Sequence, residues 1–300
     1  MSKKEQPINV LIIDDKQDYC DALAGSARAE RILIKSATNL EDGIEILKNN
    51  RKIEFVILDG KCFANADKEL TGATSNNIPH RAKSLIDQIN VEQNREINYC
   101  VNTGFVDDLQ ESFEDIFIVF DKDKKSSEDL YSYIKHEVGN SPSGKLKRKY
   151  LECFEVFDEG IIDDQKEHLL MDVLECLEKS DFRKKNFSSL RDLLEALFIG
   201  LINEGCIPND FLTSRGNPNQ EWCTIFLEER DTKLPDNSIH RIAYSVPKHI
   251  RSIVRKLKES LNENLHLGEN EIMKYEYLSN AYIMLELLNW IPQFVRTNYR

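Results

Sequence analysis

The sequence predicts an α/β domain built on a five-stranded, doubly wound parallel sheet, followed by an all-α domain. Three observations carry this reading. Apolar runs of strand length alternate with helical periodicities five times between positions 8 and 138. Beyond position 144 strand signals nearly vanish, while long helical periodicities continue to the end of the chain. Two of the apolar runs, INVLIIDD at 8–15 and EFVILD at 54–59, lead directly into the carboxylates Asp14, Asp15 and Asp59.

The elements follow in order. Strands are expected near 8–13, 31–36, 54–58, 97–102 and 115–120, where short apolar runs fall between helical periodicities, INVLII and EFVIL having the pattern of buried strands. Helices are expected near 17–29, 39–49, 80–92, 105–112 and 126–138. The turn-forming NSPSG at 140–144 marks a boundary, giving domains at 1–140 and 145–300. In the second domain LKRKYLECFEVF, QKEHLLMDVLECLEK, FSSLRDLLEALFIGLINEG, IRSIVRKLKESLNENL and MKYEYLSNAYIMLELLNWI read as helices. FSSLRDLLEALFIGLINEG is apolar nearly all round and so central, with Gly205 and Pro208 as its stop. SRGNPNQEW (214–222) and DTKLPDNSIH (231–240) read as loops.

Composition bounds the function. The chain has 300 residues, net charge −12 and pI ≈ 5.1, and both halves are acidic, which argues against a nucleic-acid binder. The one dense basic run, KLKRK at 145–149, reads as a solvated linker or helix start ahead of a phosphate-binding patch. No apolar run reaches the length of a membrane span, the candidates FIGLI and YIMLELLNWI being too short or broken by Glu286 and Asn289. MSKKEQP has no secretory character, so the chain is expected in the cytoplasm. Seven scattered cysteines without a C-x-x-C pair read as reduced, buried thiols.

Parallel strands side by side bring Asp14, Asp15 and Asp59 to one sheet edge, where open α/β folds place their chemistry. An Asp at a strand end is also an ordinary helix cap, but three together repel one another unless a cation sits among them. A cluster of hard oxygens suits Mg²⁺, and Mg²⁺ attracts phosphate. Thr103, after INYCVN (97–102), and Lys122, after IFIVF (116–120), add a hydroxyl and an ammonium at two further strand ends.

The ordered set Asp-Asp, Asp, Thr, Lys at successive strand ends resembles the receiver domain of two-component response regulators, over roughly the first half of the chain. That resemblance implies a flavodoxin-like fold and Mg²⁺ on Asp14, Asp15 and Asp59. It makes Asp59 the phosphoacceptor for a histidine kinase or phosphotransfer protein, Thr103 the switch hydroxyl and Lys122 the phosphoryl-pairing lysine. An aromatic on the last strand, Phe117 or Phe120, would change rotamer in the switch. Departures are the polar GKCFANADKELTGATSNNIP in place of a Met-Pro pair after Asp59, and Asp123 in place of a proline after Lys122, which leaves Lys124 as a rival lysine.

The second domain is weakly similar to helical domains of the HEPN superfamily, in which Arg and His at close spacing form a ribonuclease site. Here Leu261 stands five residues before His266, and Arg255 is eleven away, about 16 Å along a helix. The nuclease motif is not met, and His266 reads as a helix-end residue. The expected function is a phosphorylated signalling protein whose helical output domain works by self-association or protein contacts. A phosphate sink in a phosphorelay and a receiver-gated ribonuclease in stress or phage defence are the alternatives. Any catalysis would be Mg²⁺-dependent self-phosphorylation and dephosphorylation at Asp59.

Overall fold

The computed structural model describes residues 7–65, 74–75, 78–93, 95–104, 116–123, 127–263 and 273–300. The chain divides into two compact units, Met1–Arg148 and Lys149–Arg300.

The first unit holds strands β1 (Ile8–Ile13), β2 (Ile32–Ala37), β3 (Ile53–Leu58), β4 (Asn98–Thr103) and β5 (Val119–Asp121), all parallel, in the order β2-β1-β3-β4-β5. That order places the switch point of the doubly wound sheet between β1 and β3. Alternate residues face opposite sides. Leu11, Ile13, Val56, Leu58 and Val101 pack with helices α2 (Leu40–Asn49) and α3 (Ile78–Gln93). Val10, Ile12, Phe55, Ile57 and Cys100 pack with α1 (Gln17–Ala27) and α4 (Glu128–Asn140). Helices thus cover both faces, which is why the central strands β1 and β3 read as mostly apolar runs. Each such fully buried aliphatic side chain is worth roughly 1.5–3 kcal/mol over exposure.

Local chemistry fixes the elements that aim the strand ends. Asn39 caps α2, its Oδ1 accepting from Asp42 N–H at 3.0 Å while its Nδ2 donates to Asp42 Oδ2 at 2.7 Å. Gly43 lets α2 lie against β1, since a Cβ there would stand 2.5 Å from Ile13 Cδ1. At the other end of α2 the Arg95 guanidinium donates to the Leu47, Asn50 and Ile53 carbonyls at 2.8, 3.2 and 2.7 Å, satisfying acceptors the helix end leaves open.

The structure differs from the sequence reading at several points. β5 spans Val119–Asp121 rather than 115–120. It is an edge strand, and Ile116 and Ile118 are about half exposed, so the apolar run IFIVF overstates its burial. NSPSG, read as a turn, opens a helix instead: Ser141 Oγ accepts from Gly144 N–H at 2.9 Å and Pro142 begins helix α5 (Pro142–Lys149), which carries KLKRK, in line with the second of that run's two expected readings. The helix expected at 105–112 lies outside the described residues.

In the second unit the expected helix over LKRKYLECFEVF is broken after Lys149 into short helical turns at Leu151–Phe154 and Glu155–Asp158. Helices α6 (Glu167–Lys179) and α7 (Phe187–Asn203) follow, and α7 is central, with Leu190, Leu193, Leu194, Phe198 and Leu201 fully buried. Gly205, at φ +72°, ends that segment. Helix α8 (Gln220–Leu227) begins inside the stretch read as a loop, because Asn219 caps it by accepting from Trp222 N–H at 3.1 Å. The DTKLPDNSIH stretch contains a small antiparallel pair, Thr232–Lys233 with Ile239–His240. Helix α9 (Lys248–Glu263) packs on α8 and on the last helix, α10 (Lys274–Asn298), which continues through Pro292 past the expected end at 291. Among the described residues, no helix is long and apolar enough to cross a membrane.

Candidate functional site

Backbone pairing sets the site. Ile13 of β1 is in register with Leu58 of β3, and Asp59 N–H donates to Ile13 O at 2.9 Å, so Asp14 and Asp59 leave the sheet side by side. Thr103 is the last residue of β4, fully buried, and its carbonyl accepts from Lys122 N–H at 3.0 Å. Lys122 directly follows β5. The sheet therefore delivers all five residues of the sequence motif to its carboxyl edge. Lys124 and His266, the other two candidates, lie outside the described residues.

Asp14, Asp15 and Asp59 each offer a carboxylate oxygen, all within 4.8 Å of one another. The Lys122 ammonium stands 2.5 Å from Asp14 Oδ2 and 2.7 Å from Asp59 Oδ1. The ammonium donates to Asp59 Oδ1, and the buried Asp14 Oδ2 has, among the described residues, only that ammonium against it. Asp14 Oδ1 accepts from Lys16 N–H at 3.0 Å, which fixes the carboxyl group.

Burial pushes the Asp59 carboxyl up to about 6; the neighbouring Lys122 charge opposes this and Asp14 adds to it. Asp15 is raised for the same two reasons, burial first and then Asp14. Burial pulls the Lys122 ammonium down, but Asp59 and Asp14 together outweigh it and leave it raised. Three carboxylates against one ammonium leave the ionised cluster with two surplus negative charges. At an effective dielectric constant of ~20, two carboxylates at this separation repel by about 3 kcal/mol.

A divalent metal ion fits these residues. The donors are hard oxygens, their surplus charge matches a dication, and the buried Asp14 Oδ2 has, among the described residues, only the Lys122 ammonium against it. Asp14, Asp15 and Asp59 would hold it.

Two further residues meet the site that the motif does not reveal. Tyr19, in the first turn of α1, places its ring 4.8 Å from Lys122 Nζ, measured to the ring centroid. Asn102, on β4 next to Thr103, donates from Nδ2 to the Tyr19 hydroxyl at 2.6 Å. The only sequence signal is an amide inside an otherwise apolar strand end. In the second unit Arg255 is committed elsewhere: Nε and Nη2 bind Glu228 at 3.0 and 2.5 Å and Nη1 binds Glu221 at 2.9 Å. Leu261 is buried in the core.

No family model and no curated protein matches the chain. Among solved structures, the N-terminal part is similar to a response regulator receiver domain from Clostridium thermocellum, at 15% identity over 43% of this chain and 92% of that one, with a TM-score of 0.32. It is also similar to the signal receiver domain of a protein described as a LuxO repressor from Vibrio parahaemolyticus, at 17% identity over 44% and 95%, with a TM-score of 0.31. An orphan response regulator of H. pylori matches at 16% identity over 43% and 94%, with a TM-score of 0.29. At these identities the likeness is one of fold.

Proposed function

We propose that the first unit is a phosphoacceptor receiver in which Asp59 takes a phosphoryl group from the phosphohistidine of a histidine kinase or phosphotransfer protein. The helical unit is then an output module working through self-association or contacts with a protein partner. The observation that supports this most is the convergence of Asp14, Asp15 and Asp59 on one sheet edge with Lys122 bridging two of them.

Each residue has a task the geometry suits. An Asp59 oxygen attacks phosphorus, the P–N bond to the donor imidazole breaks, and its electron pair leaves with the imidazole, giving an acyl phosphate. Asp59 must be ionised to attack, and a value of about 6 leaves it mostly so at neutral pH. Asp14, Asp15 and Asp59 would hold Mg²⁺, which would supply charge neutralisation during the transfer. Lys122 pairs with one phosphoryl oxygen and Thr103 donates to another, both from fixed strand ends. Movement of Thr103 toward the phosphoryl group frees space for an aromatic of the last strand. Phe117 is buried against His80 and Tyr99, whereas Phe120 is half-buried against Tyr133, which favours Phe120 as the element that turns.

A cytoplasmic setting suits seven cysteines that form no disulfide. For the helical unit, the ion pairs of Arg255 and the burial of Leu261 weigh against a ribonuclease built on α9. The test is incubation of the chain with acetyl phosphate and Mg²⁺. One acid-stable, base-labile phosphoryl group is expected, lost in Asp59→Asn; labelling that survives this substitution refutes the assignment. A regulator would also change its oligomeric state or partner affinity on phosphorylation, whereas a phosphate sink would change neither.

A further inference from the structure

Among the described residues, the Lys122 ammonium meets the carboxylates of Asp14 and Asp59 and a third group that is not a carboxylate. The third is the face of Tyr19, whose hydroxyl is tied to Asn102 across 83 positions of sequence. Burial raises the Tyr19 phenol above its ordinary value, against the hydrogen bond from Asn102 and the charge of Lys122, so the ring is neutral at physiological pH.

Without a metal ion, the close charge contacts to Asp14 and Asp59 dominate the hold on the ammonium. A divalent cation on the same carboxylates takes those oxygens and repels the ammonium. A lysine has a flexible four-carbon stem and a strongly hydrated head, so it would then swing toward water. The ring attracts the ammonium through its quadrupole, and a cation bound to the carboxylates does not compete for that face. The bond from Asn102 holds the ring in place while this exchange occurs.

We propose that Tyr19, anchored by Asn102, is a positioning residue that keeps Lys122 aimed at the phosphoryl site when a cation occupies the carboxylates. This deepens the phosphoacceptor reading of Asp59 and rests on it for the identity of the anion that Lys122 meets.

The experiment uses the full-length chain and two readouts. In the first, Mg²⁺ is titrated while NMR follows the Lys122 ε-methylene protons, which the Tyr19 ring current shifts upfield. The shift is expected to persist at saturating Mg²⁺ and to vanish in Tyr19→Leu. In the second, beryllofluoride, a tetrahedral phosphoryl mimic, is titrated in saturating Mg²⁺. Tyr19→Leu is expected to weaken its binding about tenfold, and Tyr19→Phe, which keeps the ring but not its anchor, about threefold. In a Lys122→Met background Tyr19→Leu should cost nothing further, since the ring acts only through the lysine. An equal loss in that background would make the ring a merely structural element and overturn the proposal, as would loss of the ring-current shift on adding Mg²⁺. If the wild-type chain binds no beryllofluoride, the reading of Asp59 fails, and the ring-current measurement still decides the role of Tyr19.

Discussion

In the helical unit, Arg255 divides its guanidinium between Glu228 and Glu221, Arg296 meets Glu155 and Glu159, and Arg300 meets Glu204. At the sheet edge of the first unit three carboxylates share one ammonium. The consequences are opposite. Hydrogen bonds from their basic partners, Arg255, Lys258 and Arg300, draw Glu228, Glu221 and Glu204 below the ordinary carboxylate value, whereas burial drives Asp59 up to about 6. Matched pairs of this kind brace a fold and ask for nothing more. An unmatched buried cluster costs stability and is kept where a ligand completes it.

Removing a cluster carboxylate gives the largest way to break this contrast. Asp15→Ala should weaken Mg²⁺ binding by an order of magnitude or more in a calorimetric titration, because one of the three carboxylates proposed to hold the ion is lost. Unchanged affinity would mean that Asp15 takes no part in holding the ion.

Stability without metal provides the next test. Asp59 has a raised value in the folded state, so the folded chain holds the extra proton between pH about 4 and about 6, and the contribution of Asp59 to stability falls as pH rises through that window. In EDTA at pH 7, Asp59→Asn should therefore stabilise the first unit by up to about 3 kcal/mol, since each tenfold change in proton affinity corresponds to about 1.36 kcal/mol. In urea unfolding the gain should shrink toward pH 4. Saturating Mg²⁺ should reverse it, since only the wild-type cluster keeps all its ligands.

A smaller effect of opposite sign belongs to the helical unit. Glu228 is lowered by Arg255, so its contribution is present above its ordinary value of 4.5 and is lost as pH falls through the lowered one. Glu228→Gln should destabilise the chain at pH 7 by about 0.5–1 kcal/mol, a modest figure because the glutamine keeps one acceptor and Glu221 still holds Arg255. Stabilisation in urea unfolding would erase the contrast between the two regions.

What is legible in the amino-acid sequence follows from the same physics. Strands buried on both faces read as apolar runs that stop abruptly, which is why β1 and β3, and the Asp residues at their ends, stand out from composition and order alone. Edge strand β5 reads as too long because Ile116 and Ile118 are apolar yet half exposed. The first turn of helix α5 is hidden because Asn-Ser-Pro-Ser-Gly reads as a turn, although serine followed by proline is equally a helix start. Helix α8 is hidden by the polar residues before its cap. The roles of Tyr19 and Asn102 carry no local signature, since they depend on α1 lying beside the end of β4, a contact between positions far apart in the chain.

The most direct measurement of the central claim locates the phosphoryl group. The chain is incubated with acetyl phosphate in Mg²⁺ or in EDTA, reduced with borohydride, which converts an acyl phosphate to homoserine, and mapped by peptide mass spectrometry. Homoserine at position 59 in Mg²⁺, absent in EDTA, is the expected result. Label on a hydroxyl or imidazole side chain instead, or homoserine at position 59 formed equally in EDTA, would contradict a cation-assisted phosphoacceptor at this sheet edge.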